Sequence, residues 1–101
     1  MIGNLSLENY YSELETQIGS ILRALGPRLP PEVSRQVGHF LDVGEYGLAI
    51  QILTDSLIEQ MKDISPSTYD AIARLAKRMD MEQEIALEDL ERRVRRGPLT
   101  S

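Results

Sequence analysis

The chain of 101 residues contains no cysteine and only one histidine. The absence of cysteine excludes a disulfide framework, a thiolate metal site and a thiol nucleophile, and it is compatible with a reducing compartment. His39 has no second imidazole with which to complete a zinc or iron site beside Asp42 and Glu45. We therefore expect no metal and no cofactor, and we interpret His39 as a residue at the edge of a helix.

Long apolar runs are also missing. No segment approaches the roughly eighteen consecutive apolar residues of a membrane-spanning helix, so we expect no membrane partner. The N-terminal part of the chain carries acids and tyrosines where a secretion signal has a basic start and an apolar stretch. These absences predict a cytoplasmic protein.

The sequence lacks the patterns that catalysis or phosphate binding requires. No serine lies in a glycine-rich elbow after a strand, and no glycine-rich phosphate loop occurs. The carboxylate pairs Asp55 and Glu59, and Glu84 and Glu88, have the i, i+4 spacing of a solvated helix face. We expect no catalytic residues and no enzymatic activity.

Positive charge is scarce outside the C-terminal end. Residues 1–91 carry 16 acids and 7 bases, a net charge of −9, whereas the last ten residues contain four arginines. A body of this charge repels phosphates and attracts a basic protein. Nucleic-acid binding would depend on Arg74, Lys77 and Arg78 and on the C-terminal arginines, and we keep it only as a minor alternative.

Apolar residues at helical spacing are abundant, and no run alternates in the manner of a β-strand. A first helix is predicted from an N-cap at Ser6 to Gly26-Pro27, and a second begins at Leu29-Pro30-Pro31 and ends at Gly44. A third runs from about Glu45 to about Lys62. A fourth begins at Ser65-Pro66, and a capping box at Asp80 opens a fifth. Gly47 is expected to let the third helix approach a neighbour closely.

The predicted apolar faces give the fold class. Short joints between helices favour antiparallel neighbours, so we predict an all-α fold, a compact antiparallel bundle of four to five helices. Residues 1–96 are predicted to form a single helical domain and residues 97–101 a flexible C-terminal tail. The faces are Leu7, Tyr10, Tyr11, Leu14, Ile18, Ile21, Leu22 and Leu25; Val33, Val37, Phe40 and Leu41; Ala49, Ile52, Leu53, Leu57 and Met61; Tyr69, Ile72, Ala73, Leu75, Ala76 and Met79; and Ala86 or Leu87, Leu90 and Val94.

Two segments are rich in acids. Residues 42–63 contain five acids and one base, and residues 80–91 contain six acids and no base. If the bundle places these segments side by side, they form one negative face that speeds association with a cationic protein. A tyrosine at a helix start is a suitable rigid anchor for such an interface. The predicted partner-binding residues are Asp42, Glu45, Tyr46, Asp55, Glu59, Glu84 and Glu88.

A family resemblance is carried by four segments in order. They are Leu29-Pro30-Pro31-Glu32-Val33, Leu41-Asp42-Val43-Gly44-Glu45-Tyr46-Gly47-Leu48-Ala49, Leu53-Thr54-Asp55-Ser56-Leu57 and Ile64-Ser65-Pro66-Ser67-Thr68-Tyr69. This set resembles the MafI-type immunity proteins, relatives of the immunity proteins of bacterial contact-dependent inhibition systems. The resemblance implies a small all-helical protein that binds and neutralises a cognate toxin domain, most often a nuclease, in the cytoplasm.

A second interpretation belongs to a different class of function. The chain would be a small helical adaptor or regulatory subunit that mediates protein–protein assembly. That interpretation predicts a contiguous apolar patch on the outside of the closed bundle.

Overall fold

The computed structural model describes the backbone of residues 2–60 and 63–94 and the side chains of residues 8–60 and 63–94. Over these residues the fold is all-α, as predicted. The predictions for Leu7, Met61 and Lys62 and for the tail over residues 97–101 lie outside the described side chains or the described chain. The described helices are α1 (Ile2–Leu25), α2 (Pro31–Asp42), α3 (Tyr46–Glu59), α4 (Pro66–Arg78) and α5 (Leu87–Glu91), with a 3-10 turn at Gly26–Arg28 between α1 and α2.

Proline and serine set two helix starts where the sequence predicts them. α2 begins with Pro31, and α4 begins with Pro66 directly after Ser65. The hydroxyl of Ser65 accepts a hydrogen bond of 3.1 Å from the backbone N–H of Thr68. Proline in the first turn loses no needed donor, and the serine cap satisfies an N–H that the helix leaves unpaired. Both starts are therefore fixed by local chemistry.

The predicted start of the first helix at Ser6 is wrong. α1 begins at Ile2 and continues through Ser6. Serine inside a helix costs only about 0.5 kcal/mol relative to alanine, so a possible cap residue does not by itself begin a helix.

The predicted helix start at Asp80 is also wrong. Asp80 has φ of +58° and ends α4. The N–H of Met81 bonds to the carbonyl of Ala76 at 2.8 Å, and the N–H of Asp80 bonds to the carbonyl of Lys77 at 3.1 Å. This pair of bonds is a Schellman motif, in which a left-handed residue closes the helix. Aspartate is one of the few residues besides glycine that tolerate this conformation, so a residue typical of an N-cap here serves at the opposite end of a helix.

The corner between α2 and α3 has the same construction. Gly44 has φ of +78°, as its predicted role at the end of the second helix requires. The N–H of Glu45 bonds to the carbonyl of Phe40 at 2.8 Å, and the N–H of Gly44 bonds to the carbonyl of Leu41 at 3.2 Å. Two Schellman motifs, one with glycine and one with aspartate, therefore turn the chain at the ends of α2 and α4.

Gly47 permits the close approach that the sequence predicts. A Cβ atom at this position would lie 3.1 Å from Sδ of Met81. The bare backbone of α3 therefore packs against the loop that follows α4, and this contact brings the α2–α3 corner next to the segment that begins with Met81.

α3 lies at the centre of the bundle, in contact with α1, α2 and α5, while α4 packs on α1 and α5. The predicted apolar faces supply most of the core, although Ala86 is exposed and Ile52 only half-buried. Ile50 and Ile85, which were not predicted, are buried. Connectors contribute core residues as well. The buried apolar residues are Leu14, Ile18, Ile21, Leu25, Leu29, Val37, Ala49, Ile50, Leu53, Leu57, Ile64, Ile72, Leu75, Ala76, Ile85 and Leu90.

Replacing Asp80 with glycine should raise the free energy of unfolding by about 0.5–1 kcal/mol, because glycine adopts positive φ without the steric cost that an L-residue bears. Asp80→Ala should lower it by about 1 kcal/mol. Urea denaturation of both variants measures the difference. If Asp80 acted instead as the N-cap of a following helix, glycine would cost a few tenths of a kcal/mol. A loss of stability in Asp80→Gly would therefore contradict the C-cap assignment.

Candidate partner-binding surface

Three tyrosines and an arginine cluster where α1 passes the start of α3. Tyr11 stacks on Tyr46 with ring centroids 5.8 Å apart and an interplanar angle of 29°, and the ring of Tyr10 lies 5.5 Å from that of Tyr11. The guanidinium of Arg78 lies 5.3 Å from the centroid of the Tyr10 ring and pairs with Glu13. The hydroxyl of Tyr10 donates a hydrogen bond of 3.2 Å to the carbonyl of Arg78. These contacts join α1 to α3 and α4 at one end of the bundle.

The large exposed apolar side chains lie at this same end. Among the residues whose side chains are described, they are Tyr11, 43% exposed, Val43, 55% exposed, and Leu48, 43% exposed. Tyr11 was predicted to belong to the core face of the first helix, but Tyr46 covers only one face of its ring. Aromatic and aliphatic side chains grouped around one corner are typical of a protein-binding surface. We call Tyr11, Val43, Tyr46 and Leu48 the corner surface; Tyr46 and Leu48 lie roughly 200° apart around α3, so they face two different sides of this corner.

Asp42 and Glu45 border the corner surface. Asp42 ends α2 and Glu45 immediately precedes α3, and both side chains are exposed. Among the described residues, neither carboxylate takes part in an ion pair or a side-chain hydrogen bond. Both acids are therefore available to a cation from outside.

One exposed stripe of α3 starts at the corner surface and carries two of the predicted acids. Leu48, Ile52, Asp55 and Glu59 have the i, i+4, i+7 and i+11 spacing of a single helix face. Ile52 is half-buried and the other three side chains are exposed. Partial burial raises the pKa of Asp55, and the nearby charge of Glu59 raises it further. The ionised form of Asp55 is therefore disfavoured in the folded chain.

The segment over residues 81–93 runs beside α3 in the same direction. It begins where Met81 meets Gly47 near the start of α3, and it ends where Nη2 of Arg93 donates a hydrogen bond of 3.3 Å to the carbonyl of Ile58. Glu84 and Glu88 lie between these two points and are exposed. The predicted acids of the third helix and of the last segment thus belong to neighbouring elements, as a single negative face requires.

Two arginines from the basic end of the sequence are bonded to the bundle. Arg92 pairs with Asp89 at 2.7 Å, and Arg93 binds the carbonyl of Ile58. The carbonyl of Arg93 also accepts a hydrogen bond of 2.8 Å from the N–H of Ile64. These two arginines therefore serve internal contacts, and their guanidinium groups bind oxygen atoms of the chain itself.

A groove separates α1 from α2. Because the two helices are antiparallel, the lining residues that come first along α1 lie opposite those that come last along α2. Its volume is about 410 Å³, and its lining residues are Glu15, Thr16, Gly19, Leu22, Arg23, Gly38, Leu41 and Asp42. Asp42 therefore belongs both to the border of the corner surface and to this groove. We call it the α1–α2 groove.

Within residues 8–60 and 63–94, no three His, Cys, Asp or Glu side chains come close enough together to hold a metal ion. None of the helices formed by the described residues is both long and apolar enough to cross a membrane. His39 is exposed, and its ring lies 5.6 Å from that of Phe40.

No protein-family model, curated protein or solved structure matches this chain. Its function is therefore inferred from the chemistry of the corner surface, the exposed α3 stripe and the acids that flank them.

Replacing Asp55 with asparagine should raise the thermal midpoint at pH 7. The pKa of Asp55 is raised in the folded chain above its ordinary value of 3.8, so ionisation costs stability as the pH rises through the folded pKa. Well below pH 3.8 the carboxyl group is protonated in both the folded and the unfolded chain, and the gain should disappear.

Thermal unfolding followed by circular dichroism at pH 7 and about pH 3 measures this difference. Asp70→Asn, the same substitution at an exposed position of α4, controls for the change in net charge. An equal gain at both pH values, or a gain matched by Asp70→Asn, would contradict the assignment.

Proposed function

We propose that this chain is an immunity protein that binds and neutralises a basic toxin domain, most simply a nuclease, in the bacterial cytoplasm. The observation that carries the proposal is the corner surface, where exposed aromatic and aliphatic side chains stand beside Asp42 and Glu45, two exposed acids that form no ion pair with another described residue. Rigid aromatic anchors supply affinity in protein interfaces, and surrounding charges supply specificity and a fast association rate.

The charge of the chain supports a basic partner. Residues 1–91 have a net charge of −9, and the exposed acids of α3 and of residues 82–89 belong to two elements that lie side by side. A nuclease holds the phosphates of its substrate with cationic side chains, so it offers the positive surface that these acids would attract. Binding there would cover the active site of the toxin or a surface next to it.

The family resemblance also supports the proposal. Residues 44–55, its most distinctive part, form the α2–α3 corner and the exposed stripe of α3 as far as Asp55. The resemblance and the candidate surface therefore coincide in the same part of the molecule. No catalytic step or cofactor is part of the proposal, because an inhibitor of this kind acts by occupying the surface of the toxin.

The corner surface also fits a helical adaptor or regulatory subunit, since exposed apolar side chains at one end of a bundle suit assembly with another protein. A pull-down from the native cell separates the two functions. Recovery of a housekeeping complex without a toxin would favour the adaptor.

Co-expression tests the proposal directly. The toxin domain encoded beside this gene is expressed in a sensitive cell with and without this chain. Cells that carry both genes should survive at toxin levels that kill cells with the toxin alone. Cells that die equally fast in both cases would rule the proposed function out.

The double substitution Asp55→Lys/Glu59→Lys should slow association with that toxin about tenfold at low salt, because it reverses two charges that steer the partner. The difference should shrink as salt shortens the screening length, which is about 10 Å at 0.1 M. Stopped-flow or surface-based kinetics at two salt concentrations measure both effects.

The matched control for this change is Asp70→Lys. It reverses an exposed acid on α4, a helix that packs on α1 and α5. Equal association rates for the double variant and the wild-type chain at low salt would contradict the assigned role of the α3 acids.

A further inference from the structure

We infer that the α1–α2 groove is a docking site for an extended segment of the basic partner, which places one lysine or arginine side chain at Glu15 and Asp42. This inference rests on the proposed function only for the identity of the partner. The groove, its glycines and its charges are properties of this chain alone.

The first support is the position of two glycines inside helices. A Cβ atom at Gly38 would meet no other atom within 4 Å, and one at Gly19 would lie at an ordinary 3.7 Å from Nη1 of Arg23. Neither residue has a positive φ. Neither the packing nor the backbone of the free chain therefore requires glycine here, although glycine weakens a helix relative to alanine. Gly38 leaves open space in which another backbone can approach, whereas the space beside Gly19 holds the long side chain of Arg23.

The second support is the chemistry of the groove walls. Glu15 and Asp42 are exposed acids that form no ion pair or side-chain hydrogen bond among the described residues. Leu22 and Leu41 are half-buried and provide apolar walls. The guanidinium of Arg23 lies beside Gly19 and can bind a carbonyl or carboxylate of the same segment. The groove therefore fits a peptide with a cationic side chain between apolar residues.

The third support is the continuity between the groove and the corner surface. Tyr11 precedes Glu15 by one helical turn on the same face of α1, and Asp42 is followed directly by Val43. A segment that leaves the groove at its acidic end therefore reaches Tyr11 and Val43. The groove and the corner surface together would form one interface.

A second copy of this chain is the other occupant to consider. The chain carries a net charge of −5, so two copies repel each other, and the groove itself holds two acids and one base. The charges therefore favour a cationic partner.

Gly38→Leu tests the groove, because the new side chain fills it without meeting an atom near its Cβ. We expect at least a tenfold weaker Kd for the catalytically inactivated toxin domain encoded beside this gene, and a thermal midpoint equal to or above that of the wild-type chain. Gln36→Leu is the matched control, since this exposed residue of α2 lies roughly 200° around the helix from Gly38. The affinity of Gln36→Leu for the toxin domain should remain within twofold of that of the wild-type chain.

Glu15→Lys provides a second measurement that does not depend on the fit of a new apolar side chain. It should also weaken binding at least tenfold, and the loss should shrink as salt is added. Equal affinities of wild type, Gly38→Leu and Glu15→Lys for the toxin would overturn the docking site and leave the proposed function standing.

If the toxin does not bind the wild-type chain, the proposed function fails. The docking site is then tested by itself, by measuring the binding of a fluorescein-labelled peptide of sequence LARAL, in which one arginine lies between apolar residues. Binding of this peptide to the wild-type chain and Gln36→Leu, with loss in Gly38→Leu, would support the docking site. No binding to wild type would overturn it. A wild-type dimer in sedimentation that Gly38→Leu disperses would also overturn it, because the occupant would then be a second copy.

Discussion

The burial of α3 is the constraint on which the rest of the structure depends. Ala49, Ile50, Leu53 and Leu57 have no exposed surface, and each large aliphatic side chain gains about 1.5–3 kcal/mol when it leaves water. One helix cannot bury so many residues by itself, so α1, α2 and α5 must cover it. The Schellman corners at the ends of α2 and α4 turn the chain so that these elements can do so. On α3 itself, the stripe from Leu48 to Glu59 stays open to a partner, together with part of Tyr46.

Helix boundaries were predictable where they depend on chemistry within one turn. Pro31, Gly44 and Pro66 act through their own backbone, so their roles follow from the sequence. Asp80 fits two local roles, the N-cap of a following helix and the left-handed residue that ends α4. The choice between them depends on contacts that the sequence does not display. The same holds for part of the core, because connector residues have no periodicity to mark them. The buried connector residues are Leu29, Ile64 and Ile85.

The candidate acids were predictable for a different reason. Charged residues on a helical protein lie outside under almost any packing, so an acid-rich segment is enough to name them. The corner surface was not predictable, because Tyr11 has the same helical spacing as residues of the core. Which face of the Tyr11 ring stays exposed is decided only by the stacking of Tyr46 on the other face. The groove depends on the pairing of α1 with α2, which brings together two glycines from different helices.

Two residues of the proposed partner surface oppose the stability of the free chain, each for its own physical reason. The ionised form of Asp55 is disfavoured by desolvation and by the charge of Glu59, and Gly38 weakens α2 although no packing contact requires glycine there. A cation placed beside Asp55 would offset the electrostatic cost, whereas the conformational cost of Gly38 would persist in the complex. Binding at Asp55 would therefore stabilise the fold and hold the partner through the same contact.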